Sequence, residues 1–268
     1  MPWTCGWEVL SHTEQIAGRI VSASTRSVIP RELTTPRDVC DVFVKIGGSI
    51  LDDAIHTAQL VPSLVALSKE QRLVALPGGG QVAKRIVANQ RNHGSDFLRS
   101  WRSGITSLDV HAGLLASYSP SFAVATSVFE ITASLAQGKM AVLAPAAKIV
   151  SDLELFPDYD VTTDSMGLYF AAVLGARRYV IVSNVDGIYA RAPDRDAASR
   201  PITCLTPQEL EDLPSSKLDR AFPHYFRRYP LPAMIVNGHF PERVSAAIRG
   251  RPTLGTEIVL SHQEPHSV

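Results

Sequence analysis

The fold of this chain is indicated by "VFVKIGGSILDD", residues 42–53, where a β-branched apolar run ends in two glycines. Such a run predicts a buried strand, and Ser49 after the glycines predicts the start of a helix. Backbone N–H groups at Gly47 and Gly48, with no Cβ in the way, favour an anion at this helix start. The stretch predicts a phosphate-binding turn beside Lys45, although taken alone it is equally typical of a tight turn with a solvated lysine.

A second glycine turn follows in "LPGGGQVAKRIV", residues 76–87, again between an apolar run and a helical pattern. If the two strands are neighbours in a parallel sheet, Gly78 to Gly80 lie beside the first turn, and the two turns suit a donor and an acceptor phosphate. Neither turn has the spacing of a Walker A loop or of G-x-G-x-x-G. A Pro-Gly-Gly segment that only reverses the chain is the structural alternative.

The order strand, glycine turn and helix recurs along the chain and predicts an α/β protein. Because the strands are apolar throughout, we expect a mainly parallel sheet with helices on both faces, a three-layer α/β/α sandwich. Residues 103–136 have helical spacing and predict two helices separated near Ser119-Pro120. The segment "MAVLAPAAKIV", residues 140–150, predicts the next strand.

The composition disfavours several classes of partner. Basic and acidic residues number 26 each, so no net field favours nucleic acid or an anionic membrane surface. No apolar run is long enough to span a bilayer, and residues 1–24 lack the apolar region of a secretory signal, so we expect a soluble, cytoplasmic protein that binds small molecules. Residues 1–40 mix Ser, Thr, Arg and Pro and predict an N-terminal extension to a domain over residues 41–268.

Three aspartates stand where a phosphate site needs charged groups. Asp160 and Asp164 flank a predicted helix start in "YDVTTDS", and Asp186 follows a predicted strand in "SNVDGIY". A carboxylate near Lys45 would orient the lysine and keep it charged, and one near the donor could hold Mg²⁺ through water. Taken singly, each aspartate is typical of a helix cap or a turn.

The ordered set of motifs is more specific than any single motif. The segments "VKIGGS", "PGGG", "DVTTDS", "NVDGIY" and "VNGHFPERVSAAIRG" occur in the order and at about the spacing typical of the amino acid kinase superfamily, which contains uridylate, isopentenyl phosphate and acetylglutamate kinases. The chain resembles this superfamily over about residues 42–261. The resemblance implies the amino acid kinase fold, ATP and Mg²⁺ as cofactors, and a homo-oligomer.

Two further segments narrow the resemblance. "LDRAFP", residues 218–223, and "IVNGHFPER", residues 235–243, are similar to segments of the archaeal-type [5-(aminomethyl)furan-3-yl]methyl phosphate kinases. This likeness implies an ATP-dependent kinase that converts a small phosphomonoester to a diphosphate in methanofuran- or methylofuran-type C1 carrier biosynthesis. A uridylate or isopentenyl phosphate kinase is the alternative with another acceptor, and a non-catalytic nucleotide-binding or molybdate-storage-like protein is the alternative from another class.

The resemblance also implies a role for each matching residue. Lys45 is implied to neutralise the charge of the transferring phosphoryl group, and Asp164 to orient Lys45. The nucleotide is implied to be bound by Gly47, Gly48, Ser49, Asp186, Gly187 and Tyr189. The acceptor is implied to be bound at its phosphate by Gly78, Gly79 and Gly80, and at its ammonium group by Asp109 or Asp160. No residue is implied to ligate a metal directly.

Overall fold

A sheet of eight strands organises the part of the chain that this computed structural model describes, namely residues 38–151, 160–190, 200–213 and 216–261. The strands are Val42–Ile46 (β1), Leu73–Pro77 (β2), Phe122–Ala125 (β3), Met140–Leu143 (β4), Arg178–Ser183 (β5), Cys204–Leu205 (β6), Ala233–Asn237 (β7) and Thr256–Ile258 (β8). Their order across the sheet is β3-β4-β2-β1-β5-β7-β8-β6, and the described pairs are parallel except for β7 with β8. The prediction of a mainly parallel sheet is confirmed.

Helices connect the strands. They are Gly48–Leu51 (α1), Ala54–Ser68 (α2), Gly80–His93 (α3), Phe97–Ser117 (α4), Val128–Ala136 (α5), Ala146–Ser151 (α6), Thr163–Val173 (α7), Pro207–Asp212 (α8), Phe222–Arg228 (α9) and Pro241–Arg249 (α10). Within the described ranges, none of these helices combines the length and the apolar character needed to cross a membrane.

The side chains of β1 alternate between two apolar cores, one on each face of the sheet. Val42, Val44 and Ile46 are buried with residues of α2 and α10. Phe43 is buried with Tyr179 and with residues of α7, α8 and α9. Because successive side chains of a strand point to opposite faces, the two cores require helices on both sides of the sheet. The predicted three-layer α/β/α architecture is therefore confirmed.

The prediction of uninterrupted helical structure on either side of Ser119-Pro120 was wrong at one place. Residues Phe122–Ala125 form the strand β3 between α4 and α5. This strand lies at the edge of the sheet, and Val124 is 42% exposed, so its side chains give no clear alternation. Parallel pairing with β4 stabilises it, and that pairing is a tertiary contact that helical spacing cannot reveal.

The strand predicted over residues 140–150 was wrong in its second half. It ends at Leu143, and Ala146–Ser151 forms α6. Pro145 lies between the two elements and has no N–H to donate to a neighbouring strand, so the ladder cannot continue through it.

The position of β1 in the sheet determines where a site can form. β1 lies between β2 on one side and β5 on the other, and all three run in parallel. A chain that leaves a strand to one side and later returns to the other side opens a crevice at the carboxyl ends of those strands. The predicted extension over residues 1–40 lies almost entirely outside the described residues, so its boundary with a domain over 41–268 stays a prediction.

Candidate active site

The two glycine turns meet at the carboxyl ends of β1 and β2. The N–H of Gly47 donates to a carbonyl oxygen of β5, and the N–H of Gly78 to a carbonyl oxygen of β1, each at 2.8 Å. Beyond these bonds the turns touch, because a Cβ added to Gly48 would collide with the backbone of Gly80. Only glycine permits so close an approach. The structure thus brings the predicted donor and acceptor turns into direct contact.

The hydrogen bonds of Gly47 and Gly78 divide the predicted phosphate donors into two groups. These two residues use their N–H groups within the protein. Gly48 and Gly80 are the first residues of α1 and α3, and the first N–H groups of a helix have no partner inside the helix. The N–H groups without a partner inside a helix are therefore at the helix starts, and Gly47 and Gly78 fasten the turns to the sheet.

Lys45 is held beside these turns by an ion pair. Its Nζ lies 2.7 Å from Asp164 Oδ1, and the two side chains are 12% and 8% exposed. Alternation along β1 directs Lys45 to the face covered by α7, whose first turn carries Asp164. Lys45 Nζ and Ser49 Oγ lie 3.9 and 3.6 Å from the position that a Cβ on Gly47 would occupy. The ammonium group therefore lies over the first glycine turn.

The start of α7 is held by residues from two other parts of the chain. Asp219, between α8 and α9, accepts hydrogen bonds from the backbone N–H groups and the hydroxyl groups of Thr162 and Ser165. Tyr179 on β5 donates its hydroxyl to the carbonyl oxygen of Asp164 at 2.9 Å. Burial, followed by the negative charge of Asp164, raises the pKa of Asp219 to about 6. Burial also raises the pKa of Tyr179 well above its ordinary value.

Charged side chains line the loops after β5 and β7. Asp186 Oδ1 accepts hydrogen bonds from Asn237 Nδ2 at 2.9 Å and from Arg243 Nη1 at 2.7 Å. The guanidinium carbon of Arg243 lies 3.8 Å from the centroid of the Phe240 ring. Burial, followed by the charge of Asp186, raises the pKa of Tyr189. The predicted nucleotide-side turn is thus tied to β7 and α10.

His111 and Asp52 border the second glycine turn. His111 is 6% exposed, and its Nδ1 is hydrogen bonded to the carbonyl oxygen of Gly78. Asp52 Oδ2 accepts the N–H of Gln81 at 3.0 Å, and Asp52 Oδ1 lies 4.0 Å from His111 Nε2. The place predicted for the acceptor phosphate therefore has a carboxylate and an imidazole beside it.

The two carboxylates predicted for the acceptor's ammonium group lie on different elements. Asp109 is half-buried on α4 and accepts the N–H of Ala146 at 3.0 Å, and burial raises its pKa. Asp160 is exposed ahead of α7, and its carbonyl oxygen accepts the N–H of Ala221 at 3.3 Å. Neither of these contacts reaches the glycine turns, so the role of both residues stays a prediction.

The structure brings most of the predicted residues to one edge of the sheet. Lys45, Asp164 and the two glycine turns form its centre, and the turn at Gly187, where φ is 153°, lies after β5. Sequence reasoning gave no role to Asp52, His111, Tyr179, Asp219, Asn237 and Arg243. Three of them, Asp219, Asn237 and Arg243, lie within the segments "LDRAFP" and "IVNGHFPER". The similarity of these segments to the family was the signal that could have identified them.

Bare backbone turns in contact, with the ammonium group of Lys45 above them, suit the binding of two phosphate groups. On this fold they define an α/β phosphotransferase. A model of the amino acid kinase family matches residues 42–222, which is more than half of the chain. The protein belongs to the amino acid kinase family, as its motifs predicted.

Individual relatives agree with this assignment. The chain is 28% identical over 219 residues to the [5-(aminomethyl)furan-3-yl]methyl phosphate kinase of Methanocaldococcus jannaschii, a match that covers 81% of this chain and 97% of the relative. It is 27% identical over 236 residues to the uridylate kinase of Natronomonas pharaonis, covering 81% and 98%. The solved structure of the uridylate kinase of Archaeoglobus fulgidus matches with a TM-score of 0.66 and 22% identity over 82% of this chain and 100% of its own. The last likeness shows the fold alone.

Proposed function

We propose that the protein transfers the γ-phosphoryl group of ATP to a small phosphomonoester, and that this acceptor is [5-(aminomethyl)furan-3-yl]methyl phosphate. The observation that carries the proposal is the Lys45–Asp164 ion pair beside two glycine turns in contact. Lys45 would neutralise the charge that passes from donor to acceptor, and Asp164 would keep the lysine charged and oriented.

The backbone donors divide between the two substrates. N–H groups at Gly48 and Ser49 would bind the donor phosphates of ATP, and those at Gly79 and Gly80 would bind the acceptor phosphate. Because the two turns touch, the two phosphates would be adjacent, as in-line transfer requires. An acceptor phosphate oxygen is already anionic, so this transfer needs position and charge neutralisation rather than a general base.

The rest of the nucleotide would lie over the loops after β5 and β7, at Asp186, Gly187 and Tyr189. Mg²⁺ would arrive bound to the phosphates of ATP, where it neutralises phosphate charge. The described residues include no group of three or more His, Cys, Asp or Glu side chains that could hold a metal ion. We assign phosphate oxygens and water to Mg²⁺ as ligands, because this ion keeps several waters when it binds with substrate phosphates.

The choice of acceptor follows from the relative in Methanocaldococcus jannaschii, whose name states that it is a kinase of the furan phosphate and which the match covers almost entirely. That acceptor carries an ammonium group, for which Asp109 or Asp160 would supply the carboxylate. A role in methanofuran-type C1 carrier biosynthesis and a homo-oligomeric assembly belong to the same proposal.

A uridylate kinase is the second candidate function. The identity to the uridylate kinase of Natronomonas pharaonis is nearly as high and extends over slightly more residues. The same backbone donors and the same lysine would serve UMP, so the two functions differ in the groups that contact the rest of the acceptor.

ADP release with Mg-ATP tests both candidates. The purified protein is assayed with the furan phosphate, UMP, isopentenyl phosphate and acetylglutamate at matched concentrations. We expect turnover with the furan phosphate and at least about tenfold lower kcat/KM with the others, since those acceptors bring no ammonium group to the carboxylate and lose that binding energy.

The other outcomes decide against the furan acceptor. A preference for UMP would retain the phosphotransfer mechanism and replace the acceptor. Binding of ATP without turnover on any of the four compounds would support a nucleotide-binding or storage role on the same fold.

A further inference from the structure

Asp219 occupies the position of a capping residue at the start of α7, although it comes from another part of the chain. Its carboxylate accepts the N–H and the Oγ–H of Thr162, at 2.8 and 2.9 Å, and the N–H of Ser165 at 3.0 Å together with its Oγ–H. Thr162 is the N-cap of α7, and Ser165 lies in its first turn. Asp219 and Ser165 are 54 residues apart in sequence, so this cap is a tertiary contact.

The capped turn carries the carboxylate that meets Lys45. Asp164 lies between Thr162 and Ser165, and its Oδ1 is 2.7 Å from Lys45 Nζ. The direction of the Asp164 side chain therefore follows from the path of the turn that Asp219 holds. A displacement of about 1 Å in a catalytic group can cost about 100-fold in rate. Loss of the cap would therefore lower the rate of phosphoryl transfer.

Acidic groups surround Asp219 on the elements packed against it. Asp164 faces it from α7. The charge of Asp219 contributes to the raised pKa values of Tyr179 on β5 and Tyr225 on α9. Lys45 on β1 carries a positive charge and pairs with Asp164. Burial and the charge of Asp164 together raise the pKa of the Asp219 carboxyl to about 6, against hydrogen bonds from Ser165 and Thr162 that lower it.

We propose that Asp219 is a positioning residue of the phosphoryl-transfer site, whose negative charge holds the first turn of α7 so that Asp164 meets Lys45. The ionised carboxylate has lone pairs for all four donors. A proton on either oxygen adds a donor to a place where Thr162 and Ser165 already donate, which opposes the cap. The inference rests on the proposed phosphotransfer at Lys45 and holds for either acceptor.

The sign of the pH dependence follows from the direction of the pKa shift. Asp219 is ionised above about pH 6 and protonated below it, so the cap is complete at pH 8 and is lost as the pH falls through 6. ATP and the acceptor also titrate in this range, and their effect is common to all variants. The ratio of kcat between wild type and a variant therefore isolates Asp219.

The experiment compares kcat for wild type and Asp219→Asn between pH 5 and pH 8. We expect the variant to be slower by about tenfold at pH 8 and by less than about twofold at pH 5, because the wild-type residue is then uncharged as well. Asp41→Asn is the matched control, since Asp41 accepts several hydrogen bonds from Arg72 at the opposite end of β1. Its ratio to wild type should not change with pH.

Ser165→Ala provides a second variant that retains the charge of Asp219. It removes one donor to the ionised carboxylate, so the pKa of Asp219 should rise and the acid decline of kcat should move to higher pH. This variant decides the question if Asp219→Asn does not fold.

The reactivity of Lys45 toward an acylating reagent gives a readout that does not depend on any acceptor. With Asp219→Asn at pH 8, mass spectrometry should show Lys45 acylated several-fold faster, while exposed Lys69 is unchanged. A ratio of kcat that is constant with pH, together with unchanged Lys45 reactivity, would reduce Asp219 to a structural residue. Failure of turnover in wild type with altered Lys45 reactivity in the variant would instead overturn the proposed function and retain the positioning role.

Discussion

At the carboxyl ends of β1 and β2 the site is made of bare backbone, whereas at the ends of β5 and β7 it is made of charged side chains. We call residues 47–49 and 78–80 the backbone region, and Asp186, Asn237 and Arg243 the side-chain region. In the backbone region the two turns approach so closely that a Cβ at Gly48 would collide with the neighbouring turn. In the side-chain region one carboxylate oxygen binds an amide and a guanidinium group.

This difference predicts how each region responds to substitution of its residues. Backbone N–H groups have no rotamers, so their direction is set by the path of the chain and is ready before the substrate binds. Any side chain added there must move the chain itself. The ion pair between Arg243 and Asp186 is partly exposed, at 22% and 34%, and such pairs contribute modestly. We therefore expect graded effects in the side-chain region and abrupt effects in the backbone region.

Lys45→Ala tests the comparison with the largest expected effect, because it removes a side chain on which the backbone region depends. Without the ammonium group, negative charge on the transferring phosphoryl group loses its neutralising partner, and kcat should fall at least about 100-fold. Steady-state ADP release measures this, with Lys69→Ala at the exposed end of α2 as the control.

Circular dichroism of Lys45→Ala must show a folded protein for that loss to be catalytic. A folded variant with wild-type turnover would remove the lysine from the mechanism. A variant that unfolds would mean that the ion pair with Asp164 serves stability instead.

Gly48→Ala sharpens the comparison with the next largest effect. The added Cβ collides with the backbone of Gly80, so the two turns must separate. We expect a loss of about 1–3 kcal/mol in the free energy of unfolding and a fall of about 10- to 100-fold in kcat/KM. Denaturant unfolding and the kinetic assay measure the two effects.

The matched control is Gly113→Ala on α4, where an added Cβ meets nothing within 4 Å. This change should leave the activity unaltered and stabilise the helix by about 0.5–1 kcal/mol. If the two glycine variants had the same kcat/KM and the same stability, the contact between the turns would not be needed for activity.

Arg243→Ala has the smallest expected effect and examines the side-chain region. It removes the ion pair with Asp186 and the contact with Phe240, while Asn237 still binds the carboxylate. We expect the KM for ATP to rise about 3- to 10-fold with kcat within about twofold, and Arg243→Lys to recover part of the affinity.

Arg249→Ala is the control for that variant, because Arg249 lies on the same helix and pairs with Glu70 at 2.8 Å on the surface. Its kinetic constants should equal those of wild type. An Arg243→Ala variant as impaired as Gly48→Ala would contradict the distinction between the two regions.

The sequence predicted the fold better at its centre than at its edge. β1, the turn after it and the lysine at its end could be predicted, since a buried parallel strand and a glycine turn have strong local patterns. β3 could not be predicted, because an edge strand with exposed side chains has no such pattern and depends on pairing with β4. The strand predicted through Pro145 failed for a different reason, since the proline that ends the strand is a local signal that the prediction did not use.

The candidate site divides in the same way. Lys45, Asp164 and both glycine turns could be predicted because each lies at a strand end or a helix start. Asp219 could not be given a role, because its four hydrogen bonds reach residues that are more than 50 positions away in sequence. Arg243 was also visible only as part of a motif, since its partner Asp186 is 57 positions away.

The sequence by itself determined the alternation of strands and helices outside β3 and α6, the two glycine turns, the lysine at the end of β1 and membership of the amino acid kinase family. Local spacing and turn chemistry encode these features, because each depends on neighbours within a few residues. Tertiary structure alone decided that Gly48 meets Gly80, that Asp219 caps α7 and that Arg243 holds Asp186. These contacts join distant segments, and they exist only after both sheet faces are packed.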